Sequence, residues 1–203
     1  MKNTTGRRSL RNGWFASYSR MAGIALSAIL LLSACATHIA ASSSDNPPPA
    51  EPLENFDHFT LLPLDGTAEA KKQTAAFSRI DHNLQVTVDD LTRTWEKPAA
   101  GGRKLEIAPY VQDLKFIGGG ARFFVGAMAG SSAVVIKLRL TDADTKAVIG
   151  EPQFYQRADA WGGAWSVGRS DNGMLGRIAQ VAADYLRNNH DRAVGGPTGY
   201  IRE

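Results

Sequence analysis

Cys35 is the residue whose type and setting most clearly indicate chemistry in this chain. It is the only cysteine among 203 residues, so no disulfide within the chain can form. The residues before it are Leu32, Ser33 and Ala34, and small side chains at the last two positions are what a signal peptidase accepts. The pattern therefore predicts proteolytic processing just before residue 35.

The residues before Cys35 have the parts of a secretory signal. Five cations and no acid precede the cysteine, and an apolar run from Met21 to Leu32 follows them. That run is shorter than the roughly 20 residues a transmembrane helix needs. Residues 1–34 are therefore predicted to be a signal peptide. The pair Arg7-Arg8 fits a twin-arginine signal only in part, so general secretion is favoured. An ordinary signal peptide with an incidental cysteine is the alternative.

The stretch Leu32-Ser33-Ala34-Cys35 resembles the lipobox of bacterial lipoproteins. The resemblance implies a diacylglyceryl thioether on Cys35 and a further acyl chain, typically palmitate, on its amino group. Two chains already give stable membrane anchoring. Ala36 stands where an Asp would retain many lipoproteins at the inner membrane. The resemblance therefore implies a lipid anchor on the periplasmic face of the outer membrane, with the membrane as the first partner.

Removing the signal changes the charge of the protein. The full chain has 23 Lys and Arg against 20 Asp and Glu. Five of the cations precede Cys35, which leaves 18 cations and 20 acids. No basic patch of the kind that binds nucleic acid is apparent in the remaining sequence. Nucleic acid is therefore not expected as a partner.

Composition divides the rest of the chain into three parts. Residues 35–55 are rich in Ser, Ala and Pro, which predicts a lipidated cysteine followed by a flexible tether. Residues 56–190 have the length of one domain. Residues 191–203, with two glycines before a proline, are predicted to be a disordered tail.

Periodicity predicts the elements of the domain. One apolar stripe at helical spacing indicates a long helix, and a second stripe from Leu175 to Leu186 indicates a final one. Alternating residues predict strands around 59–64, 104–112, 133–141 and 147–157. The stripe of the long helix is made of Phe77, Ile80, Leu84, Val88, Leu91 and Trp95. We therefore expect an α+β fold, with a mostly antiparallel sheet of about four strands and two amphipathic helices packed on one face.

The glycine-rich segment 118–132 is the least ordinary stretch of the domain. Its apolar residues Phe123, Phe124 and Met128 stand among small residues. One interpretation is a flexible connection between strands, in which glycines permit bulged backbone. The other is a mobile apolar flap that docks on a partner through those three residues.

This region also carries a family resemblance. The stretch from Gly120 to Gly130, the valine-rich strand after it and the run from Leu140 to Lys146 resemble the bacterial lipoprotein family called domain of unknown function 4410. Gly119 and Lys146 depart from that pattern, where the family has Asn and Gly. The resemblance spans roughly 56–189. It implies an envelope lipoprotein without an assigned activity, and it carries over no catalytic residues.

Other residues could carry function in principle. Trp161 and Trp165 lie on a glycine-rich loop and either pack on the sheet or stack on a glycan such as peptidoglycan or lipopolysaccharide. Asp142 and Asp144 fall in a predicted hairpin turn, where capping is a better interpretation than catalysis or Ca²⁺ binding. No histidines have the spacing of metal ligands.

We therefore expect no metal, no cofactor and no enzymatic activity. The predicted function is a lipid-anchored binding or assembly module of the envelope, with an envelope protein complex as the expected protein partner. The alternative is glycan binding through Trp161 and Trp165.

Overall fold

A mixed sheet built on two long strands forms the centre of the fold. A computed structural model of the chain describes residues 39, 41–98, 101–115, 132–158 and 169–200. Its two longest strands, β4 and β5, pair antiparallel along their length. Two strands pair parallel with β4, and two pair antiparallel with β5. The strands of this sheet are β2 (His58–Leu61), β3 (Asp65–Gly66), β4 (Lys104–Lys115), β5 (Ala133–Asp142), β6 (Val148–Gly150) and β7 (Gln153–Arg157).

The helices pack on one face of this sheet, which we call the inner face. The first begins at Thr67, whose side-chain oxygen accepts a hydrogen bond from the Ala70 amide at 3.2 Å and so caps the helix. The last runs back across the sheet and contacts both β5 and β7. The helices are α1 (Ala68–Lys72), α2 (Thr74–Leu84), a π-helical turn (Gln85–Asp89), α3 (Asp90–Arg93) and α4 (Arg169–Asn188).

The predicted stripe of the long helix forms the seam between this helix and the core. Ile80, Leu84 and Val88 are fully buried, and Phe77, Leu91 and Trp95 pack partly buried around them. The helix is continuous through the π-helical turn, which inserts one wider turn without breaking the stripe. The burial of each such side chain contributes about 1.5–3 kcal/mol to the free energy of folding.

The predicted strand alternation is also confirmed. In β5, the buried residues Val134, Ile136, Leu138 and Leu140 join the core beneath the helices, while Arg139 is exposed. The α+β class and the packing of helices on the sheet therefore agree with the sequence. The number of strands does not, because the described residues form six strands in this sheet, two of them parallel to β4.

The predicted tether and tail need correction where the structure describes them. Strand β1 (Asp45–Asn46) pairs antiparallel with β8 (Gly196–Pro197), which joins the two segments predicted to be flexible. Leu53, also inside the predicted tether, is fully buried and belongs to the main core. Short polar side chains can form hydrogen bonds with the backbone and so hold a segment in one conformation. Composition alone therefore misjudged residues 41–55 and 191–200.

The described helices are also too short or too polar to cross a membrane.

Candidate functional site

The face of the sheet opposite the helices, which we call the outer face, is polar over much of its area. Tyr110 is 38% exposed there, beside Lys137 of the neighbouring strand. Residues that lie side by side across the strands form rows on this face. From one end of the sheet to the other, the rows are Lys115–Ala133–Arg157, Asp113–Val135–Tyr155, Tyr110–Lys137–Gln153, Ala108–Arg139 and Glu106–Thr141.

A second, smaller apolar cluster covers one end of the outer face. Ala41, Ala133, Val135 and Tyr155 are buried in it, and Ile39 and Tyr200 pack against them. The rings of Tyr155 and Tyr200 meet edge to face, with centroids 5.4 Å apart. Such pairs add about 0.5–1.5 kcal/mol beyond the area they bury. Ile39 and Tyr200, which lie near opposite ends of the described sequence, therefore pack at the same end of the sheet.

Hydrogen bonds join residues 42–46 to residues 195–198. We call this pair of segments the clasp. The Thr198 hydroxyl donates to the Ser43 carbonyl at 2.7 Å, and the Thr198 amide donates to the Ser44 carbonyl at 2.8 Å. Asn189 holds the far strand of the clasp, because its side-chain oxygen accepts from the amides of Val194 and Gly195 at 2.8 Å each. The clasp fixes the chain as it enters the domain.

The clasp also blocks one edge of the sheet. The Tyr155 amide of β7 donates to the Thr198 carbonyl at 2.8 Å, and the Gln153 amide donates to the Asn46 side chain at 2.7 Å. At the other edge, the Phe59 amide of β2 donates to the Glu96 carboxylate at 2.6 Å. An edge whose backbone groups are already paired is a poor template for another strand. At these positions, recognition by strand addition is disfavoured.

The end of the sheet beside the small apolar cluster is where two long connections leave it. We call this end, marked by the row Lys115, Ala133 and Arg157, the loop end. Residues 116–132 join β4 to β5, and residues 158–168 join β7 to α4. Ile39, which packs at the same end, follows Cys35 by four positions.

The predicted lipidation, partner-binding and glycan-binding residues fall outside the described part of the chain. Cys35 precedes Ile39, while Phe123, Phe124 and Met128 lie in the first long connection and Trp161 and Trp165 in the second. The structure therefore does not describe their side chains. It does show that the first connection starts and ends at the loop end of the sheet and that the second connection starts there.

Sequence reasoning missed the cations around this end. Lys115 and Arg157 flank Ala133 in the last row of the outer face. Arg177 of α4 lies beside them, because its guanidinium donates to the Arg157 carbonyl at 3.3 Å and to the Gln156 side chain at 3.2 Å. Their positions in the sequence are scattered. The strand register brings Lys115 and Arg157 together, and the packing of α4 adds Arg177.

The opposite end of the sheet carries an ionic cluster with a structural role. The Asp142 carboxylate accepts hydrogen bonds from the amides of Asp144 and Thr145 at 2.9 and 2.8 Å, which confirms the predicted turn cap. Its other oxygen accepts from Arg103 at 2.7 Å, and Arg103 also forms two hydrogen bonds to Glu51. The Thr145 amide, Arg103 and the Asp144 amide hold the pKa of Asp142 well below its usual range.

The described histidines His58 and His190 have different partners. His58 contacts Glu96 at 2.9 Å, while His190 packs against the Trp95 ring with centroids 4.4 Å apart. Within the described ranges, no three residues of metal-ligand type come together.

Comparison with known proteins leaves the family open. No family model matches the chain, so the resemblance to domain of unknown function 4410 is not confirmed. No curated protein is similar to it.

Several solved structures are similar to the chain at low identity. A Xanthomonas campestris protein of domain of unknown function 330 shares 10% identity over 71% of this chain and 92% of that chain, with a TM-score of 0.47. A PelC dodecamer from Paraburkholderia phytofirmans shares 13% identity over 66% and 92%, with a TM-score of 0.35. A predicted lipoprotein from Caulobacter crescentus shares 14% identity over 68% and 93%, with a TM-score of 0.36. Similarity at this level does not establish a shared fold or function.

Proposed function

We propose that the chain is an envelope lipoprotein, anchored through Cys35 to the periplasmic face of the outer membrane, whose domain is a binding or assembly module. One observation carries the proposal. Ile39, four residues after Cys35, packs at the same end of the sheet from which both long connections leave. In this proposal the anchor and the contact residues therefore act at one end of the domain.

The length of chain after the anchor limits how far the domain stands from the membrane. An extended chain advances at most ~3.6 Å per residue, so the four steps from Cys35 to Ile39 span no more than about 14 Å. Ile39 is held by packing on Ala133, Val135 and Tyr155. The loop end is thus kept near the membrane, by a connection much shorter than the flexible tether expected from composition.

Because backbone groups at the edges of the sheet are already paired, the two connections are the candidate contact segments. With strand addition disfavoured at Phe59, Gln153 and Tyr155, a partner engages side chains. Phe123, Phe124 and Met128 of the first connection are the proposed contacts. Phe and Met are enriched in protein interfaces relative to the rest of the protein surface. The proposed activity is binding, not catalysis.

Photo-crosslinking in intact cells tests this function. A photoreactive amino acid at position 123 or 128 reports on the first connection, and one at position 144 reports on the exposed turn at the other end of the sheet. We expect a defined envelope protein to be captured from 123 or 128 and not from 144. Capture of the same abundant proteins from all three positions would contradict the proposal.

The Ala36→Asp variant supplies the control for location. It keeps the folded domain unchanged and is intended to retain the lipidated protein at the inner membrane. The proposal predicts that the crosslinked partner is lost in this variant while the amount of folded protein is kept. An unchanged partner would contradict assembly at the outer membrane.

A further inference from the structure

We propose that the loop end docks on an anionic lipid surface through Lys115, Arg157 and Arg177. The inference rests on the proposed anchoring at Cys35 and adds a defined orientation and a class of lipid to it. A lipid chain alone leaves a domain free to rotate about its attachment point. Cations on the side that faces the headgroups would select one orientation.

The clasp determines which side faces the membrane. Thr198 holds Ser43 and Ser44 by hydrogen bonds, and Ile39 packs on the small apolar cluster of the outer face. Ile39, four residues after Cys35, is therefore held at a fixed place on the sheet. With at most about 14 Å of chain available, the loop end is the part of the sheet nearest to the bilayer.

The charges at this end are suited to anionic headgroups. Lys115 and Arg157 lie in the terminal row, Arg177 hydrogen-bonds to the Arg157 carbonyl, and Asp113 is the acid in the neighbouring row. Among the described residues of these two rows and Arg177, three cations thus stand against one acid, although the chain from Cys35 onward has 18 cations against 20 acids. Each Lys or Arg held near an anionic membrane surface strengthens attraction to it.

The cations at the other end of the same face lie close to acids. Arg139 approaches Glu151 at 3.6 Å, and Lys146 approaches Glu106 at 3.8 Å. Among the described residues, neither Lys115 nor Arg177 forms an ion pair. The two ends of one sheet face thus provide a test set and a matched control set of cations.

The test uses the full lipidated protein in vesicles. A lipidated Cys35 has no free thiol, so a cysteine introduced by Asp113→Cys or Asp144→Cys carries a fluorophore at the loop end or at the far turn. The quencher is a nitroxide on the lipid headgroup. In vesicles of phosphatidylethanolamine and phosphatidylglycerol, we expect strong quenching at 113 and weak quenching at 144. Equal quenching at the two positions would overturn the proposal.

Lipid charge and salt separate docking from mere proximity. Quenching at 113 is expected to fall in vesicles of phosphatidylcholine alone. It is also expected to fall when salt is raised from about 0.1 M to about 1 M, which shortens the Debye length from about 10 Å to about 3 Å. Quenching that is independent of both would overturn the proposed role of charge.

Charge reversal identifies the residues. Lys115→Glu combined with Arg157→Glu is expected to reduce quenching at 113 to the level found with phosphatidylcholine. Arg139→Glu combined with Lys146→Glu makes the same change of charge at the far end and is expected to leave quenching unchanged. Thermal unfolding checks the fold of each variant, and Lys115→Glu alone, expected to show a partial loss, serves if the double variant is unfolded. Equal effects of the two pairs would refute the assignment.

The intact mass of the protein keeps the two proposals apart. A preparation without acyl chains contradicts the proposed anchor at Cys35. A lipidated preparation with equal quenching at 113 and 144 contradicts the docking and leaves the anchor standing.

Discussion

The side chain of Asn46 hydrogen-bonds both backbone groups of Gln153. Its amide nitrogen donates to the Gln153 carbonyl at 2.8 Å, and its oxygen accepts from the Gln153 amide at 2.7 Å. Asn46 is 7% exposed, so these bonds are shielded from water. One carboxamide thus occupies the place of a neighbouring strand at the edge of β7 and ties the entry segment to the sheet.

Replacing Asn46 tests this link. Asn46→Ala leaves the buried amide and carbonyl of Gln153 without partners. We expect the free energy of unfolding to fall by about 1–3 kcal/mol, the usual cost of such a loss. Asp45→Ala, at the exposed neighbouring position of the same strand, is the control and is expected to stay within about 0.5 kcal/mol. Chemical denaturation measures both, and equal losses would argue against the role of Asn46.

Two glycines give opposite predictions for the same substitution. Gly195 has φ +76°, and a Cβ there would lie 2.5 Å from the Asn46 carbonyl oxygen. Gly195→Ala is therefore expected to destabilise the clasp by at least the roughly 1–2 kcal/mol of a left-handed alanine. Gly176 lies in α4 with no atom within 4 Å of the added Cβ, so Gly176→Ala should stabilise the helix by about 0.8–1.0 kcal/mol. Thermal unfolding of the pair checks the signs.

Asp142 predicts a dependence of stability on pH. The Thr145 amide and Arg103 hold its pKa below the usual range in the folded state. An ionised Asp142 therefore stabilises the fold above the ordinary aspartate pKa of about 3.9, and this contribution is lost as the pH falls through the lower folded-state pKa. Asp142→Asn should be less stable than the parent at neutral pH, with a smaller difference in acid.

Asp144→Asn provides the control for that comparison. The side chain of Asp144 is exposed in the same turn, and its backbone amide still donates to Asp142 after the change. Thermal unfolding of both variants across pH 7 to about pH 2, where an ordinary carboxylate is protonated, decides the point. A constant gap between Asp142→Asn and the parent at all pH values would refute the ionic contribution.

Phe123→Ala combined with Phe124→Ala distinguishes a contact surface from a packed core. If the two rings contact a partner, crosslinking of that partner is lost and the midpoint of thermal unfolding is unchanged. If the rings belong to the core, removing each costs about 3–5 kcal/mol and the protein loses its fold. Affinity purification and a thermal melt of the same preparation separate these outcomes, and the second would refute the proposed contact.

Much of the core could be predicted from local patterns. The spacing of Ile80, Leu84 and Val88 indicates one buried helix face, and the alternation of Val134, Ile136 and Leu138 indicates one buried sheet face. Both patterns are local, because each is visible within a short stretch of sequence. The parallel pairing of β2 with β4 could not be predicted in this way, because it depends on the path of the helices between them.

The clasp and the loop end depend on contacts between distant residues. Asn46 meets Gln153 across 107 positions, and Thr198 meets Ser43 across 155. Composition could not distinguish such pairings from solvation of the same polar side chains. The row of Lys115 and Arg157 likewise depends on the register of β4, which shifts at a bulge between Val111 and Asp113, and no local pattern fixed that shift.

The intact mass of the protein extracted from membranes decides whether Cys35 carries the anchor, and the anchor determines where the loop end lies. We expect a chain that begins at Cys35 and carries at least two acyl chains, and the same measurement on Cys35→Ser should show neither the cleavage nor the lipid. An unmodified chain that begins at another residue would contradict the lipid anchor and, with it, the placement of the loop end at the membrane.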